Sequence, residues 1–338
     1  MQVAPPPALP LRIVGTGEYC PRRKVPSSAF DARWNKPQGW TERHSGVAWR
    51  AVAGADEYAS AMGAAAARAA LAAAGRDLTD IDCIISACSV MEQPIPCSAA
   101  LLQRELGLGA SGVPAFDVNA TCLSFVVALD LVSTLLASGR YRCVLIVSSE
   151  LPSAGVNPDD PATAPLFGDG AAAVLVEPAD PHSGSSVLAA RMETYAEAAS
   201  ACQVRACGTR LRIEDGADAF IAGTRFEMDG KAVYRQAAAR LPGFLDRLLG
   251  LAGLPLAAID RIIPHQASGK ALAHLQRALA LPAARMSGIL HDHGNQMAAS
   301  IPAALHHAIQ HQGLARGDTV LLIGSGAGMS FGGMVLRY

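Results

Sequence analysis

The hydrophobic pattern changes its period within residues 115–139. Ala115 to Val118 is predicted as the end of a short buried strand. After Cys122, apolar residues recur at helical spacing until Gly139, at Phe125, Leu129, Val132 and Leu136. Cys122 is therefore predicted at or near a helix N-terminus, where free N–H groups and the helix dipole favour a nucleophilic thiolate. A buried structural cysteine is the alternative and the commoner fate of a free thiol.

Strands and helices alternate along the rest of the chain. Apolar runs predict strands at Leu11–Val14, Ile81–Ala87, Cys143–Val147, Ala171–Val176 and Met334–Tyr338. Helices are predicted at Tyr58–Ala74, which ends at Gly75, and at Ser98–Leu106. Turn formers concentrate between Glu177 and Ser186, the expected joint between two halves. A loop segment, Trp34–Trp49, holds all three tryptophans, which either pack over a core edge or present one ring to a ligand.

The second half of the chain repeats the first. The set Ala74-Gly75, Leu78, Ile81-Asp82 and Ile84-Ile85 recurs 178 residues later as Ala252-Gly253, Leu256, Ile259-Asp260 and Ile262-Ile263. Further on the offset is 176, and it matches Val144-Leu145-Ile146 with Val320-Leu321-Leu322. The repeat predicts an α/β fold of two pseudo-symmetric halves with mainly parallel sheets, at residues 1–178 and 187–338.

The register of the repeat also predicts that the candidate catalytic residues lie close together. Ala87 is matched by His265, and the loop 119–122 is matched by 295–298. Cys122 of the N-terminal half is thereby placed with His265 and Asn295 of the C-terminal half at the carboxyl ends of strands. Open α/β folds bind their ligands at such ends.

Composition narrows the function classes. The chain has 338 residues, of which 51% are hydrophobic and 17% charged, so it can bury a large core. With 28 basic and 29 acidic residues the formal charge is -1, which does not suggest a nucleic-acid surface or a polybasic membrane anchor. The N-terminal residues lack a signal-peptide pattern, so a cytoplasmic protein is expected. The eight cysteines form no CxxC pair, which favours reduced thiols over disulfides.

Two competing motifs are weak. The turn Gly324-Ser325-Gly326-Ala327-Gly328 resembles part of a dinucleotide-binding loop, but a strand rather than a helix follows it. Histidines at 291, 293, 306, 307 and 311 suggest a metal, yet no HExxH or carboxylate pattern accompanies them. A solvated helix face is the preferred interpretation, and no metal site is predicted.

A family resemblance rests on residues that span nearly the whole chain. These are Asp117-Val118-Asn119-Ala120-Thr121-Cys122, Phe167-Gly168-Asp169-Gly170-Ala171, Pro264-His265-Gln266-Ala267, His293-Gly294-Asn295 and Ala299-Ser300-Ile301-Pro302, with the glycine-rich C-terminal turn. The chain resembles β-ketoacyl-acyl-carrier-protein synthase III of the thiolase superfamily. The resemblance implies a homodimer with a duplicated thiolase fold, layered α-β-α-β-α. It also implies a Cys122/His265/Asn295 triad, acyl-coenzyme A and acyl carrier protein as partners, and no cofactor.

The same resemblance places further residues around the substrate. Trp40 lies where a Trp stacks on the coenzyme A adenine, and His44 stands where the family has an Arg that meets its phosphate. Arg235 and Lys270 match basic positions at the tunnel mouth, which receive coenzyme A phosphates or the carrier protein.

The acyl pocket is the third region where the resemblance makes a prediction. Leu123 follows the nucleophile where small residues are usual, and Ile95 aligns where a Phe often closes the partner subunit's acyl pocket. Since Ile lacks the ring, a medium-chain or longer acyl primer is expected. Alternatively, Glu92 projects a carboxylate into that site and disfavours long chains.

The residue types fit condensation chemistry even apart from the family resemblance. The backbone N–H of Cys122 and one from Gly326-Ala327-Gly328, represented by Ala327, are expected to hold the thioester oxyanion. Neutral imidazole and amide donors from His265 and Asn295 suit an enolate, which a carboxylate would repel.

Three alternatives differ in reaction class. A non-condensing acyltransferase would pass the Cys122-bound acyl group to a hydroxyl or amine, but it has no enolate for Asn295 to stabilise. A cysteine hydrolase shares the residue order without this duplication. A degradative thiolase needs a second Cys in the C-terminal glycine-rich turn, and Ser325 to Phe331 contains none.

Overall fold

A computed structural model gives the structure of residues 7–180, 182–278, 280 and 282–338. The first six residues of the predicted N-terminal half lie outside the described residues, as does Pro181 in the predicted joint. The strands are β1 (Arg12–Tyr19), β2 (Arg23–Pro26), β3 (Trp49–Val52), β4 (Cys83–Ser86), β5 (Ala115–Asp117), β6 (Val144–Glu150), β7 (Gly170–Glu177), β8 (Ser186–Thr194), β9 (Cys202–Gln203), β10 (Glu227–Met228), β11 (Arg261–Pro264), β12 (Thr319–Gly326) and β13 (Ser330–Arg337). The α-helices are α1 (Ser28–Arg33), α2 (Trp40–Ser45), α3 (Ala59–Ala74), α4 (Ser98–Glu105), α5 (Ser124–Ala137), α6 (Ala217–Gly223), α7 (Gly230–Ala252), α8 (Gly269–Ala278), α9 (Leu290–His293) and α10 (Ser300–His311).

Two main sheets have matching strand orders. The first runs β1-β7-β6-β4-β5, with parallel pairing where β4 meets β6 and β5. The second runs β8-β13-β12-β11, with β11 parallel to β12. A parallel bridge between Ile262 and Met286 extends β11 on the side where β4 pairs with β5 in the first sheet. Strands that the sequence repeat matches, such as β6 and β12, therefore occupy equivalent places.

Helices cover both sheets and also fill the space between them. Helices α3 and α4 pack on the outer face of the first sheet, and α7 packs on the outer face of the second. Helices α5 and α10 lie between the sheets, in a core that contains residues from both. The central position of α5 explains its composition, because Phe125, Leu129 and Val132 are fully buried.

Close backbone contact sets the distance between α3 and β1. A Cβ added at Gly17 would lie 2.4 Å from the Ala66 carbonyl oxygen, and one at Gly15 would lie 2.2 Å from that of Ala70. Only glycine permits this approach. The Ala-rich sequence of α3 supplies the matching small side chains.

The predicted buried strand at Ala115–Val118 is wrong in its burial. Strand β5 spans Ala115–Asp117, but it is the edge strand of the first sheet and is half-buried to exposed. Phe116 is 36% exposed because nothing described in the chain covers that edge. Among the described helices, none has the length and apolarity to cross a membrane.

Candidate active site

Cys122 lies in a tight turn between β5 and α5. Its side chain is half-buried, and helix α5 begins two residues later at Ser124. Two side chains shape the turn: Asn119 Oδ1 accepts the Thr121 N–H at 2.9 Å, and Ser124 Oγ accepts the Ala120 N–H at 2.9 Å. Thr121 has a φ of 53°, a left-handed conformation that is rare for a β-branched residue. The predicted place of Cys122, just before a helix N-terminus, is thus where the structure has it.

The glycine-rich turn between β12 and β13 closes over this loop. Thr121 Oγ1 donates to the Ala327 carbonyl oxygen at 3.4 Å, and a Cβ at Gly326 would lie 2.6 Å from Thr121 Oγ1. Backbone N–H groups of Cys122 and Ala327 both reach the Cys122 sulfur and lower its pKa. These are the two donors that the sequence assigns to an oxyanion hole.

Burial nevertheless outweighs these donors in the resting protein. Desolvation raises the pKa of Cys122 to about 12, with smaller increases from the charges of Cys202 and Glu150. The helix N-terminus therefore does not lower the pKa of Cys122 below that of a free thiol, because desolvation outweighs its donors. A pKa of about 12 leaves the Cys122 side chain as a thiol near pH 7.

His265 directly follows β11 and is 7% exposed. Its backbone N–H donates to the Ile323 carbonyl oxygen at 2.8 Å, which continues the β11–β12 pairing. Burial lowers the pKa of His265 to about 4, so the imidazole is neutral near pH 7. Within the described residues Nδ1 has no hydrogen-bond partner.

Asn295 is held at both ends of its side-chain amide. Oδ1 accepts the Met297 N–H at 2.8 Å, and Nδ2 donates to the Ala267 carbonyl oxygen at 3.3 Å. Its backbone N–H donates to the Leu166 carbonyl oxygen at 2.8 Å, which ties the loop to the segment before Gly168. One Nδ2 hydrogen remains for a ligand, since an amide carries two.

A single cavity of about 1950 Å³ joins these groups. The predicted site residues that line it are Trp40, His44, Cys122, Arg235, His265, Lys270, Asn295 and Ala327. Arg235 and Lys270 are on its solvent-exposed side, whereas His265 and Asn295 are buried. Residues from both halves of the sequence repeat thus face one space.

The predicted acyl-pocket residues lie elsewhere. Leu123 does not line this cavity but is completely buried against the C-terminal hairpin, where a Cβ at Gly332 would lie 3.1 Å from its Cδ1. Glycines at that hairpin leave room for a large residue after the nucleophile. Ile95 is 84% exposed and outside the cavity of its own chain. Glu92 does not project a carboxylate into this cavity, because its Oε2 accepts the Ser60 N–H at 2.7 Å, at the start of α3.

Two of the three clustered tryptophans take the expected roles, one each, while Trp49 is 45% exposed and lies outside the cavity. Trp34 packs on Phe30 with ring centroids 5.0 Å apart. Trp40 faces the cavity, with His44 stacked on it at 4.0 Å and the His44 Nδ1 2.7 Å from the Trp40 carbonyl oxygen. His44 therefore already covers one face of the Trp40 ring.

Two residues near the site were not found from the sequence. Cys202 lines the cavity. Glu150, 1% exposed, ends β6 and accepts backbone N–H groups of Ser89, Val90 and Ala298, while burial raises its pKa to about 7. The position of Glu150 at the carboxyl end of an apolar strand was the available signal, whereas nothing in the sequence pattern marks Cys202.

Both halves of the chain match a known protein family. Residues 116–196 match the family model for 3-oxoacyl-[acyl-carrier-protein] synthase III, and residues 249–338 match the model for its C-terminal part. Acetoacetyl CoA synthase NphT7 of Streptomyces sp. (strain CL190) is 37% identical over 321 residues, which cover 94% of this chain and 96% of that protein. β-Ketoacyl-[acyl-carrier-protein] synthase III of Neisseria meningitidis serogroup C / serotype 2a is 33% identical over 331 residues, 97% of this chain and 99% of that one.

A solved structure agrees with the sequence matches. The crystal structure of 3-oxoacyl-(acyl carrier protein) synthase III from Pseudomonas aeruginosa PAO1 has a TM-score of 0.86 and 29% identity, with 97% of this chain and 98% of that chain covered. The predicted fold class, a duplicated thiolase fold of two pseudo-symmetric halves, is confirmed. The chain belongs to the 3-oxoacyl-acyl-carrier-protein synthase III family of condensing acyltransferases.

Proposed function

We propose that the chain condenses an acyl thioester with a malonyl thioester, with Cys122 as the nucleophile and His265 and Asn295 as the enolate-binding groups. The observation that carries this proposal is their convergence: the three side chains line one cavity from opposite halves of the fold. The alternative, transfer of the acyl group to a hydroxyl or amine, gives Asn295 no role.

Acylation uses the loop around Cys122. The sulfur attacks the thioester carbonyl carbon, the bond from that carbon to the coenzyme A sulfur breaks, and the thiol proton leaves with the coenzyme A thiolate. The N–H groups of Cys122 and Ala327, which already reach Sγ, lie beside the new oxyanion. The raised pKa of Cys122 fits a step in which its proton moves to the leaving coenzyme A sulfur.

Condensation uses the groups of the second half. The malonyl carbon–carbon bond breaks, carbon dioxide leaves, and the resulting enolate oxygen accepts hydrogen bonds from His265 Nε2–H and Asn295 Nδ2–H. The enolate carbon attacks the Cys122 thioester, and collapse of the tetrahedral intermediate releases the Cys122 sulfur. A neutral imidazole suits this role, because burial holds the pKa of His265 near 4.

The substrates are proposed as an acyl-coenzyme A primer and malonyl carrier protein. A cavity of about 1950 Å³ exceeds the 300–1,000 Å³ of ordinary ligand pockets, which suits a pantetheine arm with an acyl chain. Arg235 and Lys270 offer positive charge where the carrier phosphate would enter. One relative is named for an acetoacetyl coenzyme A product and another for a β-ketoacyl-carrier-protein product, so parallel assays with malonyl-coenzyme A and malonyl carrier protein test the acceptor.

We further propose that the protein is a cytoplasmic homodimer. Each chain is proposed to consist of two halves, residues 1–178 and 187–338. Support for the dimer comes from the uncovered edge strand β5 and from exposed apolar side chains near it, Val90, Met91 and Ile95. Support for the division comes from the matching strand orders of the two sheets. Gel filtration with light scattering tests the dimer.

Mass spectrometry of the intact protein tests the nucleophile. After incubation with acetyl-, octanoyl- and longer acyl-coenzyme A, one acyl group is expected on the wild-type protein and none on Cys122→Ala. Cys207→Ser, which removes an exposed thiol, is the matched control and should acylate normally. Acylation of Cys88 or Cys97 instead would refute the assignment.

Primer length is tested in the same experiment. Each buried methylene contributes about 0.8 kcal/mol, so the octanoyl primer is expected to react better than acetyl if the pocket is open. Ile95→Phe should shift the preference to shorter chains when Ile95 reaches the partner's pocket. A wild-type enzyme that strongly prefers acetyl contradicts this proposal.

A further inference from the structure

Outside the cavity, a carboxylate, a thiol and an imidazole meet behind the Asn295 loop. Glu18, Cys20 and His293 each direct one possible metal-ligand atom into a common space, and these atoms all lie within 4.8 Å of one another. The condensation chemistry uses none of the three side chains. All three are half-buried rather than spread over the surface.

The fold brings these residues together from distant parts of the sequence. Glu18 lies in β1 and Cys20 just after it, and alternate strand positions share one face of a sheet. Thr16 shares that alternation, and its Oγ1 lies 2.9 Å from His306 Nδ1, so this face of β1 meets α10. His293 is the last residue of α9, two positions before Asn295.

The orientation of His293 is the second observation. Its Nδ1 lies 3.2 Å from the Ile289 carbonyl oxygen, an acceptor, so Nδ1 carries the hydrogen and the Nε2 lone pair is free. Nε2 faces Glu18 Oε2 at 3.8 Å, which is too long for a hydrogen bond. A ring nitrogen fixed by a backbone carbonyl, with the other nitrogen presented to a carboxylate, is the usual arrangement of a metal-ligating histidine.

The ligand set selects the metal. Thiolate, imidazole and carboxylate together suit Zn²⁺, with bonds of about 2.3 Å to sulfur and about 2.0–2.2 Å to nitrogen and oxygen. In a tetrahedral site these bonds place ligand atoms roughly 3.3–3.6 Å apart. Side-chain movements of about 1 Å would therefore bring the three ligand atoms to bonding distance from one ion. Thiolate and carboxylate would also neutralise the charge of a divalent ion.

We propose that Glu18, Cys20 and His293 form a Zn²⁺ site with three protein ligands and one solvent position. The ion would connect β1 of the first half to the segment that leads into Asn295 in the second half. Backbone contact already holds that segment, since a Cβ at Gly168 would lie 2.0 Å from the His293 carbonyl oxygen. Binding to the native state alone would raise the melting temperature.

Cobalt(II) is the probe for the first test, because a Co²⁺–thiolate bond gives a charge-transfer absorption. The reduced, metal-free, full-length protein is titrated with Co²⁺ and then with Zn²⁺ as competitor. One equivalent of Co²⁺ and a thiolate absorption are expected, and Zn²⁺ should displace it. Cys20→Ser should lose the absorption, whereas Cys207→Ser, which lacks an exposed thiol elsewhere, should keep it.

Two paired variants test the remaining ligands. Glu18→Gln and His293→Gln should weaken metal binding by at least about tenfold, since loss of a residue that only orients a ligand already costs that much. His291→Gln is the matched control, since this exposed histidine precedes His293 by two residues and contacts Asp292 and Glu42 instead. Zinc should raise the melting temperature of wild-type protein and of His291→Gln, but not of His293→Gln.

The proposal is overturned by any of three results. These are the absence of a stoichiometric Co²⁺ complex, an absorption that survives Cys20→Ser, and binding lost in His291→Gln rather than His293→Gln. Glu18→Gln decides the matter even where Cys20→Ser does not fold, because Glu18 is at the half-exposed end of β1 and its amide is isosteric.

Discussion

The loops 119–124 and 295–300 are copies of one structure that perform different work. In the first, Asn119 Oδ1 accepts the Thr121 N–H and Ser124 Oγ accepts the Ala120 N–H. In the second, Asn295 Oδ1 accepts the Met297 N–H at 2.8 Å and Ser300 Oγ accepts the Gln296 N–H at 3.1 Å. The third residue is left-handed in both, with φ of 53° at Thr121 and 49° at Met297.

The second contact of each asparagine is duplicated too. Asn119 Nδ2 donates to the Ser89 carbonyl oxygen and Asn295 Nδ2 to that of Ala267, and these acceptors are 178 residues apart. Asn295 is nevertheless 6% exposed and lines the cavity, whereas Asn119 is exposed outside it. The asparagine therefore holds the turn in both loops, and its surroundings decide whether it also faces the substrate cavity.

The residues that differ carry the chemistry. Ala298 replaces Cys122 in the second loop, and Ala87 replaces His265 after the matching strand of the first half. The N–H of Ala298, equivalent to the oxyanion donor of Cys122, is bound by the Glu150 carboxylate. The second copy is thus closed to an oxyanion.

Replacement of each asparagine by aspartate should give the largest difference in activity between the two loops. Asn295→Asp places a carboxylate beside the enolate and removes a donor, so condensation should fall on the order of 10²–10³-fold, while self-acylation falls far less. Asn119→Asp is the matched control and should change condensation by less than about tenfold, since it meets no substrate. The measurements are product formation from malonyl thioester and adduct mass. Equal losses in both half-reactions of Asn295→Asp would contradict the division of roles.

The pH dependence of the unfolding free energy of Glu150→Gln tests whether a buried Glu150 carboxyl occupies the second loop, residues 295–300. Burial raises the pKa of Glu150 from 4.5 to about 7, so the folded protein holds this proton more tightly than the unfolded chain. Stability from this group is present below pH 4.5 and is lost as the pH rises to about 7, by about 3 kcal/mol. The variant should lack this loss when unfolding free energies are measured by urea from pH 4.5 to 8.

A Glu→Gln substitution at the protein surface provides the reference for that experiment. Glu214→Gln removes a carboxyl of the same kind at an exposed position, so the difference between the two variants isolates the effect of burial on Glu150. Parallel stability curves for Glu150→Gln and wild type across this range would show that Glu150 is not the titrating group.

Paired serine substitutions give the smallest effects. Ser124→Ala and Ser300→Ala each remove the acceptor of a turn N–H, so each should lower the free energy of unfolding by about 1–2 kcal/mol. Only Ser124→Ala should also slow self-acylation, because its turn positions Cys122. Urea denaturation and adduct formation rates measure the two effects. A slowed acylation in Ser300→Ala would mean that the loops are coupled rather than independent.

Much of the fold was predictable because duplication leaves a pattern in the chain itself. Offsets of 178 and 176 residues predicted equivalent strands, and β6 and β12 occupy equivalent places in their sheets. The change of hydrophobic period predicted where α5 begins and that Gly139, with φ of 72°, would follow its end. Local periodicity reports local structure, so these predictions needed no knowledge of distant contacts.

Burial and electrostatics at the site depended on contacts between distant segments. Strand β5 begins with the apolar residues Ala115 and Phe116, yet it forms an edge because no described strand pairs with its other side. Leu123 fits beneath the C-terminal hairpin only because glycines more than 200 residues away leave space. Desolvation in the assembled fold raises the pKa of Cys122 to about 12, although its position before a helix N-terminus by itself favours the thiolate.

The duplication, the order of the elements and the family could all be recognised from residue types at fixed spacings along the chain. Tertiary structure alone decided that Asn295 meets the cavity and Asn119 does not, and that Glu18, Cys20 and His293 share one space. The physical reason is that spacing along a chain sets local geometry, while burial, desolvation and ligand convergence arise only when remote segments pack together.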